Sequence, residues 1–94
     1  MTKDEEIMGF LHKKVFDPIL DSKKASSKLK SGVNLTIGRM NRLSAESKVK
    51  YFWSALATEN AVKFSSEMKS EGFLRFEDVR EEFAARFNDA WLSK

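Results

Sequence analysis

Apolar residues recur along most of this chain every three or four positions, the spacing of one helix face. The first set is Ile7, Met8, Leu11 and Val15, which predicts a helix from about Lys3 to Phe16. Asp17-Pro18 interrupts it. Proline disfavours helical geometry in the residue before it, yet fits the first turn of a new helix. A second helix is therefore expected to begin near Pro18, with Asp17 as its N-cap. Its apolar positions are sparse: Ile19, Leu20, Ala25 and Leu29, with the Ser/Lys-rich run Ser22–Ser31 among them. That run reads either as a solvated helix with a thin apolar seam or as a mobile loop. Gly32 offers a stop. Beyond it, Val33, Leu35 and Ile37 alternate like a strand, while Val33, Ile37 and Met40 fit a helix. Helix is favoured, because nothing else in the chain offers a strand partner.

The second half has a clearer pattern. Ser44 is placed as an N-cap, with Glu46 in the first turn where the helix dipole favours an acid. Val49, Phe52, Trp53 and Leu56 follow at i, i+3, i+4 and i+7, an amphipathic stripe. Thr58-Glu59-Asn60 marks a bend or a new start, and Ala61, Phe64, Ser65 and Met68 carry the next inner face. Gly72 ends that helix. With Gly72 at C′, Phe73 and Met68 occupy the two positions that touch in a Schellman cap. The last helix shows Phe76, Val79, Phe83, Phe87 and Ala90/Trp91 as one stripe over residues 76–92. Glu77 and Asp78 stand in its first turn, and Glu82 and Arg86 are spaced as an i,i+4 pair.

The predicted fold is all-α: a single domain, residues 1–94, built as a bundle of four to five short helices. Residues 1–4 and 22–33 read as candidates for mobile segments. The expected core is Phe52, Trp53, Leu56, Phe64, Met68, Val79, Phe83 and Phe87. Eight Phe, two Trp and one Tyr make that core aromatic. One Pro and four Gly agree with helix throughout. The absence of Cys excludes disulfides, thiolate zinc sites and cysteine catalysis. No apolar run approaches the ~20 residues that span a membrane. The acidic start Met1-Thr-Lys-Asp-Glu-Glu is not a signal peptide, so a cytoplasmic location is expected.

Charge changes the picture more than composition does. From Lys13 to Lys50 the chain has ten basic residues against three acidic ones, a balance of +7 within a net +3. Residues 51–94 have six basic and eight acidic side chains. A basic half points to an anionic partner. Within it, Lys23, Lys24, Lys28 and Lys30, interleaved with Ser22, Ser26, Ser27 and Ser31, suit phosphate oxygens. Arg39 and Arg42, three apart, share a helix face and suit phosphates or guanine edges. No aromatic lies between Asp17 and Lys50, so base stacking has no platform there. The same lysines are equally explained as the solvated face of an ordinary helix.

Chemistry elsewhere is thin. His12, beside Lys13, has no nearby nucleophile and reads as a surface residue. Glu77, Asp78, Glu81, Glu82 and Asp89 share a helix whose inward face is taken by Phe, so they are expected to face water rather than converge on a metal or substrate. No EF-hand, phosphate-binding loop, dinucleotide glycine pattern or zincin motif occurs. Neither catalysis, nor a metal, nor a cofactor, nor a small-molecule substrate is expected. Ala61–Leu74 resembles the end of a winged-helix recognition helix, with its Met-x-x-x-Gly-hydrophobic ending. The likeness covers 14 residues, no β-wing follows, and a Schellman cap explains the same letters.

The expectation is a non-enzymatic binding module. Its basic segment, residues 13–50, contacts nucleic acid or another anionic partner through Lys23, Lys24, Lys28, Lys30, Arg39 and Arg42. The alternative is a protein-interaction or self-association module, a homodimer included. It would use Phe10, Phe16, Tyr51, Phe73 and Trp91, aromatics in excess of one small core.

Overall fold

Residues 3–20 form one continuous helical rod in the computed structural model, which describes residues 1–57 and 63–94 together with the helical backbone of 59–62. α1 (Lys3–Leu11) passes into a π turn (His12–Phe16) and then α2 (Asp17–Leu20). Thr2 caps the start: its hydroxyl accepts from the Glu5 N–H at 3.1 Å, and the Glu5 carboxylate accepts from the Thr2 N–H. The break expected at Asp17-Pro18 does not occur. Asp17 is helical, with φ −64° and ψ −40°, and is no N-cap. Its N–H donates to the His12 carbonyl, five residues back. The widened π turn makes room opposite the Pro18 ring, which would collide with the backbone of a regular turn.

After a bend, Ser26 caps α3 (Ser27–Asn41), its hydroxyl accepting from the Leu29 N–H at 3.1 Å. The Ser/Lys run is therefore split: bend through Ala25, helix from Ser27. Gly32 does not stop the helix. Its role is close approach, since a Cβ there would stand 2.5 Å from a ring carbon of Phe64. Helix prevails over strand at 33–40, because Leu29, Val33 and Met40 at i, i+4 and i+11 bury one face. Ser44 caps α4 (Ala45–Ala55) as expected, accepting from the Ser47 N–H at 3.2 Å.

α5 (Glu59–Ser70) follows. The bend expected at Thr58-Glu59-Asn60 and the inward placing of Ala61 lie outside the described residues. α5 ends in the expected Schellman cap. Gly72 has φ +87°, the Phe73 N–H donates to Met68 O at 2.9 Å, and the Gly72 N–H donates to Lys69 O at 3.0 Å. That cap leads to a 3₁₀ turn (Phe76–Val79) rather than a strand, and no strand occurs among the described residues, so the winged-helix likeness ends there. The helix expected over 76–92 is divided into α6 (Arg80–Arg86) and α7 (Asp89–Leu92). Asn88 makes the division: its amide NH₂ donates to Ala85 O, and its side-chain oxygen caps the Trp91 N–H at 2.9 Å.

An aromatic column runs through the centre. Phe83 of α6 stacks on Phe52 of α4 with centroids 3.7 Å apart and planes at 11°, and Phe52 stacks on Phe76 at 4.9 Å. Phe10 and Phe87 meet Phe83 edge to face, and Phe16 adjoins Phe76 at 5.9 Å. Of the expected core, Phe52, Met68, Val79, Phe83 and Phe87 are buried, and Leu56 and Phe64 pack partly buried against them. Trp53 is the correction. It is 40 % exposed, laying only its edge on Phe52 and Phe83. The space assigned to it is filled from the N-terminal rod, by Ile7, Phe10, Leu11, Val15, Phe16 and Ile19. Phe10 and Phe16 are thus core, while Tyr51, Phe73 and Trp91 are half-buried around it. The radius of gyration, 12.9 Å, matches the ~13 Å of a fully packed chain of this size, as an all-α bundle in one globule requires.

The column makes a ranked prediction for chemical unfolding. Phe83→Ala should lower stability by about 3–5 kcal/mol, the range for emptying a packed aromatic site. Trp53→Ala should cost about 1–2 kcal/mol. A larger loss at Trp53 than at Phe83 would contradict the column.

Candidate functional site

α3 displays most of the candidate cations, and helical geometry decides how they stand. At about 100° per residue, Arg42 lies opposite the buried Leu29/Val33/Met40 face, and Lys28 and Arg39 lie on one flank. Lys30 lies on the other flank, about 180° around the axis from Arg39. Lys23 and Lys24 belong to the bend that precedes the helix. The six therefore straddle the outward side of α3 and do not align in one stripe. Lys23, Lys24, Arg39 and Arg42 are exposed and Lys30 half-buried. Arg39 and Arg42, as expected, share a side.

Carboxylates reach this basic half from α1, from α4, from α5 and the turn after it, and from α6. Lys28 Nζ pairs with Glu67 at 2.8 Å, and that hydrogen bond and charge raise the lysine's pKa. Glu71 accepts from the Ser26 N–H at 2.7 Å and from its hydroxyl at 2.8 Å. The positive end of α3 is thus already occupied by this chain's own carboxylate. Lys50 pairs with Glu46 one turn away at 3.3 Å. Of the acids on residues 76–92, Glu82 alone meets the basic half among the described residues, at Lys14 across 3.3 Å, instead of pairing with Arg86. Arg86 lies over the Phe10 and Phe87 rings.

Lys48 is not a surface lysine. It is 2 % exposed. Its Nζ donates to Leu43 O and, at 3.3 Å, to Asp4, which ties α1 to the turn between α3 and α4. Nothing in the sequence marks Lys48 apart from Lys50. The difference is one helix face, since Lys48 neighbours Val49 and Phe52 on the buried side.

His12 is half-buried and not simply a surface residue. Its Nδ1 stands 2.9 Å from Asp17 Oδ1, and its ring meets Phe16 edge to face. Residues five apart point about 140° away from each other on a regular α-helix, and the π turn between them closes that angle. Glu77 and Asp78 fold back onto Arg75. Asp78 accepts from the Arg75 backbone N–H at 2.9 Å and from its guanidinium at 3.0 and 3.1 Å, and Glu77 also bonds the guanidinium. The hydrogen bonds from Arg75 hold the Asp78 carboxyl below its usual pKa. Among the described residues, no three His, Asp or Glu side chains converge as metal ligands, and no helix is long and apolar enough to cross a membrane.

A cavity of about 440 Å³ opens between α3, α4, α5 and the 3₁₀ turn, with Leu35 and Arg39 from α3 and Phe64 and Met68 from α5 in its walls. Sequence reasoning missed it. Its only trace was Gly32, whose missing Cβ admits the Phe64 ring. No protein-family model matches the chain, and no curated protein or solved structure does so either.

Two measurements follow. Lys48→Ala should cost about 1–3 kcal/mol by urea unfolding, because Leu43 O loses its donor and the lysine stem its packing; an unchanged midpoint would contradict the burial. Asp78 sets a pH dependence. Its folded pKa is depressed, so its stabilisation is complete above the ordinary Asp value of about 4 and disappears as pH falls below it, where the unfolded chain binds the proton first. The stability gap between the native chain and Asp78→Ala should therefore be constant near neutrality and close as pH falls below about 4. A gap that does not narrow as pH falls below about 4 would contradict it.

Proposed function

We propose that this protein binds duplex nucleic acid, without catalysis, through phosphate contacts from the segment between Asp21 and Glu46. One observation carries the reading. Those 24 intervening residues contain six cations and no acid, and they form the bend and helix whose outward side faces water. Glu67 and Glu71 answer Lys28 and Ser26, while Lys23, Lys24, Lys30, Arg39 and Arg42 have no carboxylate partner among the described residues. Lys30 and Arg39 are nine positions apart, about 14 Å along the helix. A duplex presents one phosphate charge per ~1.7 Å of its axis, on both sides of a groove, which suits cations on the two opposite flanks of one helix. The missing aromatics favour backbone contact over base stacking.

The test is salt dependence. Five phosphate contacts give a slope of about −4 to −5 in log affinity against log salt, a loss of about 10²–10³ between roughly 50 and 200 mM. Anisotropy of a labelled 20-base-pair duplex should show it. Charge reversal at Lys23, Lys24 and Arg42 together should abolish binding, while Lys50→Glu, on the paired Glu46 turn, should leave it nearly intact. No binding to any duplex at low salt, or equal loss in both variants, would overturn the reading.

A further inference from the structure

We infer that the cavity between α3, α4 and α5 is a binding site for a small anionic amphiphile, a carboxylate carrying an apolar body. The inference is independent of nucleic-acid binding, although Arg39 belongs to both surfaces. The volume, about 440 Å³, lies within the range of sites that enclose small organic ligands. The walls are mostly apolar: Phe64, Met68, Phe76 and Ala55, with Leu35 at the rim. Leu35 is 62 % exposed, so an apolar occupant would remove its side chain from water at a gain of about 25 cal/mol per Å² covered.

Charge selects the sign of the occupant. Among the described residues of the lining, Arg39 is the one with a charge and none is an acid. No salt bridge joins Arg39 to a described residue. A guanidinium fork at the edge of an apolar cavity fits a carboxylate head in two parallel hydrogen bonds. Tyr51 and Ser54, also in the lining, add hydroxyl-bearing side chains to it. Thr36, whose hydroxyl donates to Gly32 O at 2.9 Å, keeps its oxygen free to accept only. An anion with an apolar tail matches this arrangement, whereas a cation or a wholly polar molecule leaves either the guanidinium or the walls unmatched.

Octanoate and octanol separate head from tail. Titrated into the ¹⁵N-labelled chain, octanoate should give saturable amide shifts at Gly32, Thr36, Tyr51 and Ser54. Arg39→Gln should weaken octanoate about tenfold, the worth of a charge-assisted hydrogen bond, and octanol less than about twofold. Ser54→Trp, which places a ring in the cavity from an exposed position, should block both ligands. Lys23 and Lys24 charge reversal should leave octanoate unaffected, so failure here is distinguishable from failure of the nucleic-acid reading. Absence of saturable shifts, or equal weakening of octanoate and octanol by Arg39→Gln, would overturn the inference. If Ser54→Trp disturbs the fold, the Arg39→Gln comparison decides alone.

Discussion

The helices that carry the aromatic core are held together by one contact, the stacking of Phe83 on Phe52. Their centroids are 3.7 Å apart, and each ring is fully buried. Phe10 from the first helix, Phe76 from the 3₁₀ turn and Phe87 from the end of α6 all close on this pair. Three distant parts of the chain are thereby fixed to one another by rings that each bury about 150–250 Å². A domain of this size has little reserve of core beyond such a cluster. The N-terminal rod must lie against α6 to deliver Phe10, and α4 must lie beneath it to deliver Phe52. α3 is then left on the outside, touching the core with Leu29, Val33 and Met40 and turning its charged side to water.

The fold class was legible because helical periodicity is a local property, and so were the caps at Ser44 and Gly72, whose chemistry lies within four residues. What escaped was whatever depends on distant partners. The rod through Pro18 survives because a π turn intervenes, and no local pattern announces such a turn. Trp53 and Phe52 are equally apolar neighbours on one helix. The choice between them follows from where Phe83 arrives, and Phe83 is 31 positions from Phe52 in the chain. Asn88 divides the last helix although the apolar stripe runs on past it, because its side chain outcompetes the backbone for two hydrogen bonds.

The basic segment was legible as charge but not as surface. Of ten cations between Lys13 and Lys50, Lys14, Lys28, Lys48 and Lys50 have carboxylate partners. Those partners come mainly from outside the acid-rich final segment that seemed best placed to supply them. Asp4 and Glu67 are remote in sequence and near in space, which pattern reading does not detect. The remainder is Lys13 on the N-terminal rod and, on the bend and α3, Lys23, Lys24, Lys30, Arg39 and Arg42, which form a smaller and more specific surface. A rigid aromatic scaffold that displays it at both ends of one helix is the central claim.

That claim is tested most directly by mapping amide shifts while a short DNA duplex is added at low salt. Shifts should gather at residues 23–30 and 39–42, with the amides of Phe10, Phe52 and Phe83 unmoved, because the scaffold binds without rearranging. Shifts centred on Glu77–Glu82, or spread through the aromatic column, would contradict the account.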